Sequence, residues 1–583
     1  MRKAIFGDPT RFQRHLPAAT AIVIAACCIG AARAADPHEM EAFIAELMSR
    51  KPAAGEPYEL EGNRLFFTNW YFIRPGNLNW LNDDGELVNT IEENAEHVTH
   101  GPWDAQLSRP SSPFGIDIVT QPAQRLGPVL KRVKPWERDS IIFRTVLKDG
   151  DKYRAWAKCI PGGECYLESD DGLEWKRPIL RQREFNGSFE NNLLEPGPDG
   201  SVFVDPSGPP EERYKSIRGP VISFEEFQAF TEKHSDKWDS QAVKGYWRSP
   251  QKFRALAGSV SPDGLHWKPL PEPFTVEHSD GVEVAYYDRR LKKYVVYTRN
   301  WLVGDRSPRW NGDPQIRTWL GEECGSGRRA IGRMESDTYG DFPLSENVIV
   351  PTPADVSPSE VFYTSIWSPP PGAPDHHLMF PAIWDTRDDS SSIGLWSSHD
   401  GKLWARVPGP RLLETTAFGQ WDGGCIFSTP YLIELPNGDF ALPYKGYNLP
   451  HKYPRGTMEV HSGYAVWPKG RIVAVEARDI GDFATVAILP PARTLRINAV
   501  TKRAGGVSVE VVRLVDQPKV RSYQPYEEII PDRSFADCDV ARGDLFWAPV
   551  SWRGTTDLGH YEGEGVILRF RLDRARLFGL EFK

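Results

Sequence analysis

The sequence lacks the motifs that identify several common classes of enzyme. It contains no Gly-x-Ser-x-Gly elbow, no phosphate-binding loop and no dinucleotide fingerprint. None of its cysteines has the spacing of a zinc site, so we predict neither a metal nor another cofactor. The formal net charge is −9, and no cluster of lysine and arginine lies along the chain. The sequence therefore offers no basic surface for nucleic acid.

Beyond its N-terminus the sequence also lacks an apolar run of membrane-spanning length. At the N-terminus, basic residues precede the apolar residues 16–32, and Ala-Arg-Ala at 32–34 has the pattern of a cleavage site. We predict export to the periplasm or the extracellular space by a signal peptide that is cleaved near Ala34. A lipoprotein signal that uses Cys27 is the alternative.

Cysteine is scarce, with 7 residues in the whole sequence. Cys159 and Cys165 flank a Pro-Gly-Gly turn between two predicted strands. In an oxidising compartment they could form a disulfide across this hairpin, and two small, buried, reduced residues are the alternative.

A short turn recurs along the chain. Residues 168–175 (Glu-Ser-Asp-Asp-Gly-Leu-Glu-Trp), 261–267 (Ser-Pro-Asp-Gly-Leu-His-Trp) and 398–404 (Ser-His-Asp-Gly-Lys-Leu-Trp) share it, and residues 335–342 carry a variant that ends in Phe. Asp can bond the backbone two residues on, and Gly adopts a positive φ at no steric cost. Copies at this spacing, each preceded by strand-like alternation, are typical of a β-propeller. We assign the repeated acids to this turn: Asp170, Asp263 and Asp400.

The length of 583 residues is too great for one compact domain. Predicted strands group into five sheets, which begin near residues 135, 191, 280, 360 and 421, and the fifth ends around residues 470–483. Later segments alternate apolar and polar residues, as half-buried antiparallel strands do. The predicted fold class is all-β, a five-bladed β-propeller followed by a C-terminal β-sandwich. We expect a signal peptide at 1–34, a lead-in segment at 35–130, the propeller at 131–489 and the sandwich at 490–583.

Acids near the start of each blade are not copied from blade to blade, so they are the candidates for chemistry. The first strand of each blade lines the axis of a propeller, and its opening residues surround the channel mouth. Cleavage of a glycosidic bond needs two convergent carboxyl groups with different pKa values. We predict Glu137, Asp280 and Asp422 as the catalytic set, without assigning individual roles.

Other residues near these positions are predicted to bind the sugar: Asn192, Glu283, Arg333, Glu360 and Trp421. Each acid could instead hold a loop in place, and Arg333 could be a partner within its own blade. Two roles are expected for the 20 tryptophans. Most are expected to pack between strands, and some could stack on sugar rings.

A series of segments resembles one family. The segments are 135–137 (Pro-Trp-Glu), 169–178, 184–187 (Glu-Phe-Asn-Gly), 191–192, 333–337, 421–422, 535–539, 543–544, 552–554, 557–558 and 566–572. Together they resemble secreted bacterial proteins similar to glycoside hydrolase family 32, within the five-bladed superfamily of families 32, 43 and 68. The resemblance implies a propeller joined to a β-sandwich, with a sugar site in the funnel. Residues 80–85 partly match the family motif that holds the nucleophile, with Asp83 in that place, and lack its Pro.

The predicted function is an exported glycoside hydrolase that acts on a poly- or oligosaccharide. One alternative is a carbohydrate-binding propeller without hydrolytic activity. Another is a lyase or transferase on the same scaffold. The partner is a carbohydrate in each case, and the sugar, the linkage, the stereochemical outcome and the oligomeric state are left open.

Overall fold

The computed structural model describes residues 57–75, 80–81, 87–88, 113–238, 253–277, 279, 281–303, 327–453, 457–515 and 526–583. The predicted signal peptide, Asp83 and Asp280 lie outside these residues. Within them, no helix has the length and apolar content needed to cross a membrane. Strands dominate this part of the chain, which also includes the helix α1 (Phe224–Lys233) and the 3-10 helices Pro135–Glu137, Pro210–Glu212 and Pro468–Gly470.

The N-terminal segment supplies short strands to other parts of the fold. They are β1 (Tyr58–Glu59), β2 (Arg64–Leu65), β3 (Trp80–Leu81), β4 (Leu87–Val88), β5 (Asp117–Thr120) and β6 (Gln124–Leu126). β3 and β4 pair with each other, whereas β1, β2 and β5 join the C-terminal sheet. β6 adds to the propeller. The segment is therefore divided between the two modules that follow it.

The strands that follow group into five blades of antiparallel sheet. Blade 1 contains β7 (Ser140–Asp149), β8 (Lys152–Ile160) and β9 (Gly163–Ser169). Blade 2 contains β10 (Ser201–Val204), β11 (Tyr214–Arg218), β14 (Ala257–Ser261) and β15 (Lys268–Pro269), with β12 (Val221–Ile222), α1 and β13 (Phe253–Arg254) inserted after β11. Blade 3 contains β16 (Val284–Asp288), β17 (Lys293–Val303), β18 (Gly327–Ser336) and β19 (Glu346–Ile349).

Blade 4 is divided across its middle into two four-stranded sheets. One contains β20 (Glu360–Phe362), β23 (Ala382–Asp385), β24 (Ser391–Ile393) and β27 (Leu413–Glu414), and the other β21 (Trp367–Ser368), β22 (His377–Met379), β25 (Trp396–Ser398) and β26 (Ala405–Arg406). Blade 5 contains β28 (Cys425–Ser428), β29 (Ile433–Glu434), β30 (Phe440–Tyr447), β31 (Val460–Trp467) and β6.

Hydrogen bonds join each blade to the next, and blade 5 to blade 1. They run from Val202 N to Thr145 Oγ1 (3.0 Å), from Tyr294 Oη to Asp205 Oδ2 (2.7 Å), from Ser365 Oγ to the Val282 carbonyl (3.1 Å), between Thr364 Oγ1 and Ser428 Oγ (2.7 Å), and from Phe143 N to Ser462 Oγ (2.8 Å). The blades therefore surround a common axis, and the predicted five-bladed propeller is confirmed.

The outer strand of blade 5 comes from the N-terminal side of the propeller. β6 pairs antiparallel with β31, with Leu126 opposite Tyr464. The prediction that blade 5 ends around residues 470–483 is wrong, because those residues lie in a strand of the C-terminal module. β6 has only 3 residues, all exposed, so the sequence offers no alternation that would identify its partner.

The repeated turn has the expected hydrogen bonds, with one change of residue. Ser261 Oγ accepts from the Gly264 amide at 2.9 Å, and Asp263 Oδ1 accepts from the amide two residues on at 2.8 Å. In blade 1 the equivalent acid is Asp171, whose Oδ1 accepts from the amide two residues on at 2.9 Å. The assignment of Asp170 to this position is wrong, because the turn is aligned on its serine and Asp170 is exposed.

The glycine carbonyl of this turn accepts a hydrogen bond from an aromatic side chain of the preceding blade. The donors are Tyr464 Oη to Gly172 (2.9 Å), Trp156 Nε1 to Gly264 (2.8 Å) and Tyr297 Oη to Gly401 (2.8 Å). Each glycine has a positive φ, between 69° and 79°. The turn therefore fastens neighbouring blades together, which is a structural role.

The C-terminal module is a β-sandwich. Its strands are β32 (Val473–Ala484), β33 (Ile488–Leu489), β34 (Leu495–Val515), β35 (Tyr526–Ile529), β36 (Asp544–Pro549) and β37 (Val566–Phe582). Alternate residues of β34 and β37, such as Val509 and Phe570, are fully buried and lie opposite each other. β32 and β33 precede residue 490, so the module begins earlier than the expected boundary.

Candidate active site

The first strand of each blade begins at one end of the propeller, which we call the mouth. Because consecutive strands of a blade are antiparallel, the turn between the second and third strands lies at the same end. In blade 1 these positions are the start of β7 and the turn between β8 and β9. Side chains from both positions can therefore meet at the mouth.

Glu137, a predicted catalytic acid, is fully buried in the 3-10 helix before β7. Arg177 Nε donates to its Oε1 at 2.5 Å, and the amides of Val133 and Lys134 donate to its Oε2 at 2.9 and 3.2 Å. Both oxygens are therefore used within the protein. This geometry favours the loop-holding role that the sequence left open.

Asp422, another predicted catalytic acid, is also fully buried. Its Oδ1 accepts from the Thr416 hydroxyl at 2.5 Å, and its Oδ2 accepts from Tyr444 Oη at 2.8 Å and Arg125 Nε at 3.2 Å. Arg125 belongs to β6, so these bonds fasten the N-terminal strand to blade 5. The third predicted acid, Asp280, lies outside the described residues.

Asn192 and Trp421, which were predicted to bind sugar, make internal contacts. Asn192 Oδ1 accepts from the Trp136 indole at 2.8 Å, and its Nδ2 donates to the Tyr166 carbonyl at 2.8 Å. Trp421 stacks on Tyr444 with ring centroids 5.4 Å apart. Their roles in sugar binding stay predictions.

Arg333 and Glu360 also have partners within their own blades. Arg333 is buried in β18 and forms an ion pair with Glu335 two residues on. Glu360 begins β20 and accepts from the Ser357 amide at 2.7 Å and from Arg411 Nη2 at 3.2 Å. Of the two possibilities left open for Arg333, the contacts favour the partner within the blade.

Glu283 differs from the other predicted residues. It immediately precedes β16, its residue is 5% exposed, and Ser279 Oγ donates to its Oε1 at 2.5 Å. Gly219 of blade 2 lies beside it, where a Cβ atom would be 3.6 Å from Oε1. Burial raises the pKa of the Glu283 carboxyl, against the smaller, opposite effect of the Ser279 hydrogen bond.

Glu164, which the sequence analysis missed, is a second carboxyl whose pKa is raised by burial, but unlike Glu283 it has a partner on each oxygen. It lies at the start of β9, and its Oε1 is 2.9 Å from Arg144 Nε. Its Oε2 accepts from the Asp199 amide at 2.7 Å. Burial raises the pKa of Glu164, and the Arg144 charge opposes that shift. The sequence criterion considered only the start of the first strand of each blade. A criterion that also covered the turn between the second and third strands would have identified Glu164.

Arg144 lies between these acids because of an irregularity in β7. The register with β8 shifts between Phe143 and Thr145, so Arg144 is the extra residue of a β-bulge. Bulges re-aim side chains and are common beside active sites. Arg144 reaches Glu164 and, at 3.5 Å, Asp199, and its charge also favours the ionised form of Glu283.

Further basic groups converge on the same region. Lys445 of β30 is half-buried, and burial, reinforced by the charges of Arg144 and Lys158, lowers its pKa to about 8. The charge of Arg254 from β13 acts on Glu283. Neither Lys445 nor Arg254 forms an ion pair with any residue that the structure describes. Lys445 is thus a positively charged group at the mouth that has no counter-charge among the described residues.

Aromatic rings from blades 4 and 5 lie together near the start of β20 and β28. The ring of Tyr363 stacks on Phe427 at 4.4 Å and meets His451 edge-on at 4.8 Å, and Trp384 is 5.7 Å from His451. The Arg299 guanidinium lies 4.7 Å from the centre of the Tyr363 ring. Tyr363, Trp384 and His451 are only half-buried. Such rings are suited to stacking on a sugar.

A cavity of about 810 Å³ lies elsewhere, beside the repeated turn of blade 4. Trp70, Tyr71, Phe114, His399 and Leu403 are among the residues that line it. The turn between third and fourth strands is at the end of the propeller opposite the mouth. The described lining residues include no carboxylate, so they do not supply the pair that glycosidic cleavage requires.

The described residues hold no group of three His, Cys, Asp or Glu side chains that could bind a metal ion. His376 and His377, which are adjacent in sequence, are buried in blade 4 and form hydrogen bonds within the protein. His376 Nε2 accepts from the Phe66 amide at 3.0 Å, and His377 Nδ1 accepts from the Trp367 indole at 3.1 Å. Burial lowers the pKa of His377 to about 4, so it is neutral at physiological pH.

No protein-family model matches the sequence, and no curated protein matches it. Among solved structures, an N-acetylgalactosamine deacetylase from F. plautii is 14% identical, with 60% of this chain and 95% of that chain covered and a TM-score of 0.38. An endo-arabinase from Bacteroides thetaiotaomicron is 11% identical, with coverages of 58% and 97% and a TM-score of 0.31. A xylan β-1,4-xylosidase from Bacillus Halodurans is 10% identical, with coverages of 76% and 100% and a TM-score of 0.30. At these identities and TM-scores the activity has to be inferred from the residues of the chain itself.

Proposed function

We propose that the protein is an exported glycoside hydrolase that acts on a poly- or oligosaccharide through carboxyl groups at the propeller mouth. The observation that carries the proposal is Glu283, a nearly buried carboxyl whose pKa is raised by burial. A carboxyl with a raised pKa keeps its proton to a higher pH than an ordinary glutamate does, and a protonated carboxyl can protonate a leaving oxygen. In this proposal Glu283 is the general acid.

The second carboxyl of the proposed mechanism is Glu164. Arg144 contacts Glu164 directly and favours its charged form, whereas Glu283 has no ion-pair partner among the described residues. On this ground we assign Glu164 the base or nucleophile role and Glu283 the acid role. Asp280, three residues before Glu283, stays a second candidate for this position.

The two groups account for the whole reaction. Glu283 transfers its proton to the glycosidic oxygen while the bond between that oxygen and the anomeric carbon breaks. The ionised carboxylate either attacks the anomeric carbon or takes a proton from the water that attacks it. If the carboxylate attacks, a water then displaces it from the anomeric carbon and gives a proton back to Glu283. If it acts as a base, the proton that it takes from water returns to Glu283 through the solvent, so in both cases one water is consumed and two sugar products leave.

Export is supported by a disulfide in blade 1. Cys159 and Cys165 are bridged, with their Cα atoms 6.2 Å apart. This pairing was one of two possibilities in the sequence. Disulfides persist in the periplasm and outside the cell and are rare in the cytosol, so the bridge agrees with the predicted signal peptide.

The test compares the release of reducing ends from a panel of oligosaccharides by the wild-type protein and by Glu283→Gln. We expect turnover to fall by about 10²- to 10⁴-fold, the usual contribution of general acid catalysis. Activated aryl glycosides with good leaving groups should be affected much less, because they need no protonation. Glu346→Gln, an exposed glutamate in the same blade, is the matched control.

Two further variants identify the second carboxyl. Glu164→Gln and Asp280→Asn are each assayed with the oligosaccharides and with the aryl glycosides. The base or nucleophile is the residue whose substitution slows both classes of substrate equally. Wild-type turnover in Glu283→Gln would overturn the proposal. Oligosaccharide binding by the wild-type protein, with no product over long incubation, would instead support the non-hydrolytic alternative.

A further inference from the structure

One basic residue at the mouth, Lys445, has no ion-pair partner among the residues that the structure describes. Arg144 is paired with Glu164 and Asp199. The charge of Arg254 in blade 2 acts on Glu283, whereas Lys445 in blade 5 has no such acidic group among the described residues. A positive charge in a cleft that lacks a counter-charge attracts ligands of the opposite sign.

The strand register fixes the place of Lys445 within the mouth. It lies opposite Phe427 on β28 and opposite Ser462 on β31. Phe427 stacks on Tyr363, and Ser462 Oγ accepts from the amide of Phe143, the residue before Arg144. Lys445 is therefore positioned between the aromatic rings and the bulge that presents Arg144.

We propose that the substrate of this site carries an anionic substituent, a carboxylate or a sulfate, and that Lys445 binds it. The inference rests on the proposed function in placing a sugar at the mouth. It adds the chemical class of that sugar, an acidic one.

The position of Lys445 supports this assignment over a structural one. Lys445 is half-buried, and partial burial of a charged side chain without a counter-charge is costly, whereas a structural lysine would be paired, as Lys215 is with Asp205 at 3.0 Å. An anionic substituent would supply the missing partner, and the aromatic rings would hold the sugar that bears it. Burial lowers the pKa of Lys445 to about 8, so the group is still mostly charged at neutral pH and can attract the anion.

The experiment measures binding rather than cleavage. Glu283→Gln protein is applied to an array in which each uronate-containing oligosaccharide stands beside its carboxyl-reduced derivative, and each sulfated one beside its desulfated derivative. We expect at least one backbone for which the anionic member binds tenfold or more tightly. In Glu283→Gln/Lys445→Met protein that preference should disappear, with the affinity for the neutral member unchanged. Lys268→Met, an exposed lysine at the edge of blade 2, is the matched control.

The outcomes separate the two sources of the charge and the two proposals. A preference among the uronate pairs assigns a carboxylate, and one among the sulfated pairs a sulfate ester. Equal binding within every pair, no binding of any anionic member, or a preference that survives Lys445→Met would overturn the inference. If the wild-type protein binds the anionic sugar without cleaving it, the inference stands and the proposed hydrolase fails. If the protein cleaves only neutral oligosaccharides, the proposed hydrolase stands and the inference of an anionic substrate fails.

Discussion

The Ser279 hydroxyl donates to Oε1 of Glu283 at 2.5 Å, and the Thr298 hydroxyl donates in turn to Ser279 Oγ at 2.9 Å. The bond to Glu283 favours the charged carboxylate, because a carboxylate accepts hydrogen bonds more strongly than a carboxylic acid does. Burial favours the protonated form and is the larger effect. Ser279 is therefore a positioning residue that limits how far burial raises the pKa of Glu283.

Ser279→Ala should raise the pKa of Glu283 further, because it removes the bond that favours ionisation. A general acid works only while it is protonated, so the alkaline limb of the kcat/KM profile should move to higher pH. Thr298→Val acts through Ser279 and should give a smaller shift in the same direction. The measurement is the pH dependence of kcat/KM on one oligosaccharide. A profile that falls in height without moving would mean that Ser279 has a packing role only.

Glu283→Gln should change stability as well as activity. The folded-state pKa of Glu283 is raised, so the folded protein holds a proton that the unfolded chain has already lost above its own pKa of about 4.5. Wild-type stability therefore falls as pH rises from that value through the folded-state pKa. The glutamine variant lacks this loss, and its Tm should exceed the wild-type value at neutral pH but not below pH 4. Equal Tm differences at both pH values would contradict the raised pKa.

Glu137→Gln should act mainly on folding. Glu137 is fully buried and paired with Arg177, so the change leaves a half-buried guanidinium without its counter-charge, at a cost of about 3 kcal/mol. Urea unfolding measures the cost. The matched control is Glu190→Gln, whose partner Arg181 is exposed, and it should cost less than about 1 kcal/mol. A fully stable Glu137→Gln protein without turnover would restore the catalytic role expected from the sequence.

The propeller could be predicted because its signals are local and repeated. Each copy of the Ser-x-Asp-Gly turn carries its own serine, acid and glycine, and the strands before it alternate. The completion of blade 5 could not be predicted, since β6 and β31 are far apart in sequence and β6 has only 3 exposed residues. Pairing over such distances depends on tertiary contacts rather than on local pattern.

The site was predictable only in part. Glu283 was among the residues predicted to bind sugar, because it lies immediately before the first strand of blade 3, and its role as the acid is proposed from its burial. Glu137 and Asp422 met the same rule, but the sequence does not show that Arg177 and Arg125 already occupy their oxygens. Glu164 was missed because it opens a third strand. Arg144 was missed because a bulge, which alternation cannot predict, decides its direction.

Reduction of the Cys159–Cys165 bridge should destabilise blade 1. The two residues are 6 apart, so the closed loop is short and the loss should be about 2 kcal/mol, at the lower end for disulfides. Dithiothreitol should lower the Tm of the wild-type protein and leave that of a Cys159→Ser/Cys165→Ser protein unchanged. The same decrease in both proteins would mean that the reductant acts elsewhere.

Removal of one hydroxyl should test the link between the last blade and the first. Tyr464 Oη donates to the Gly172 carbonyl at 2.9 Å, in a position that is fully buried. Tyr464→Phe keeps the ring and leaves a buried carbonyl without its donor, which should cost about 1–2 kcal/mol. Tyr297→Phe, which breaks the equivalent bond to Gly401 between blades 3 and 4, should cost a similar amount. Tyr453→Phe, at an exposed ring, is the control, and equal stability of all three variants would show that the repeated turn does not hold the blades together.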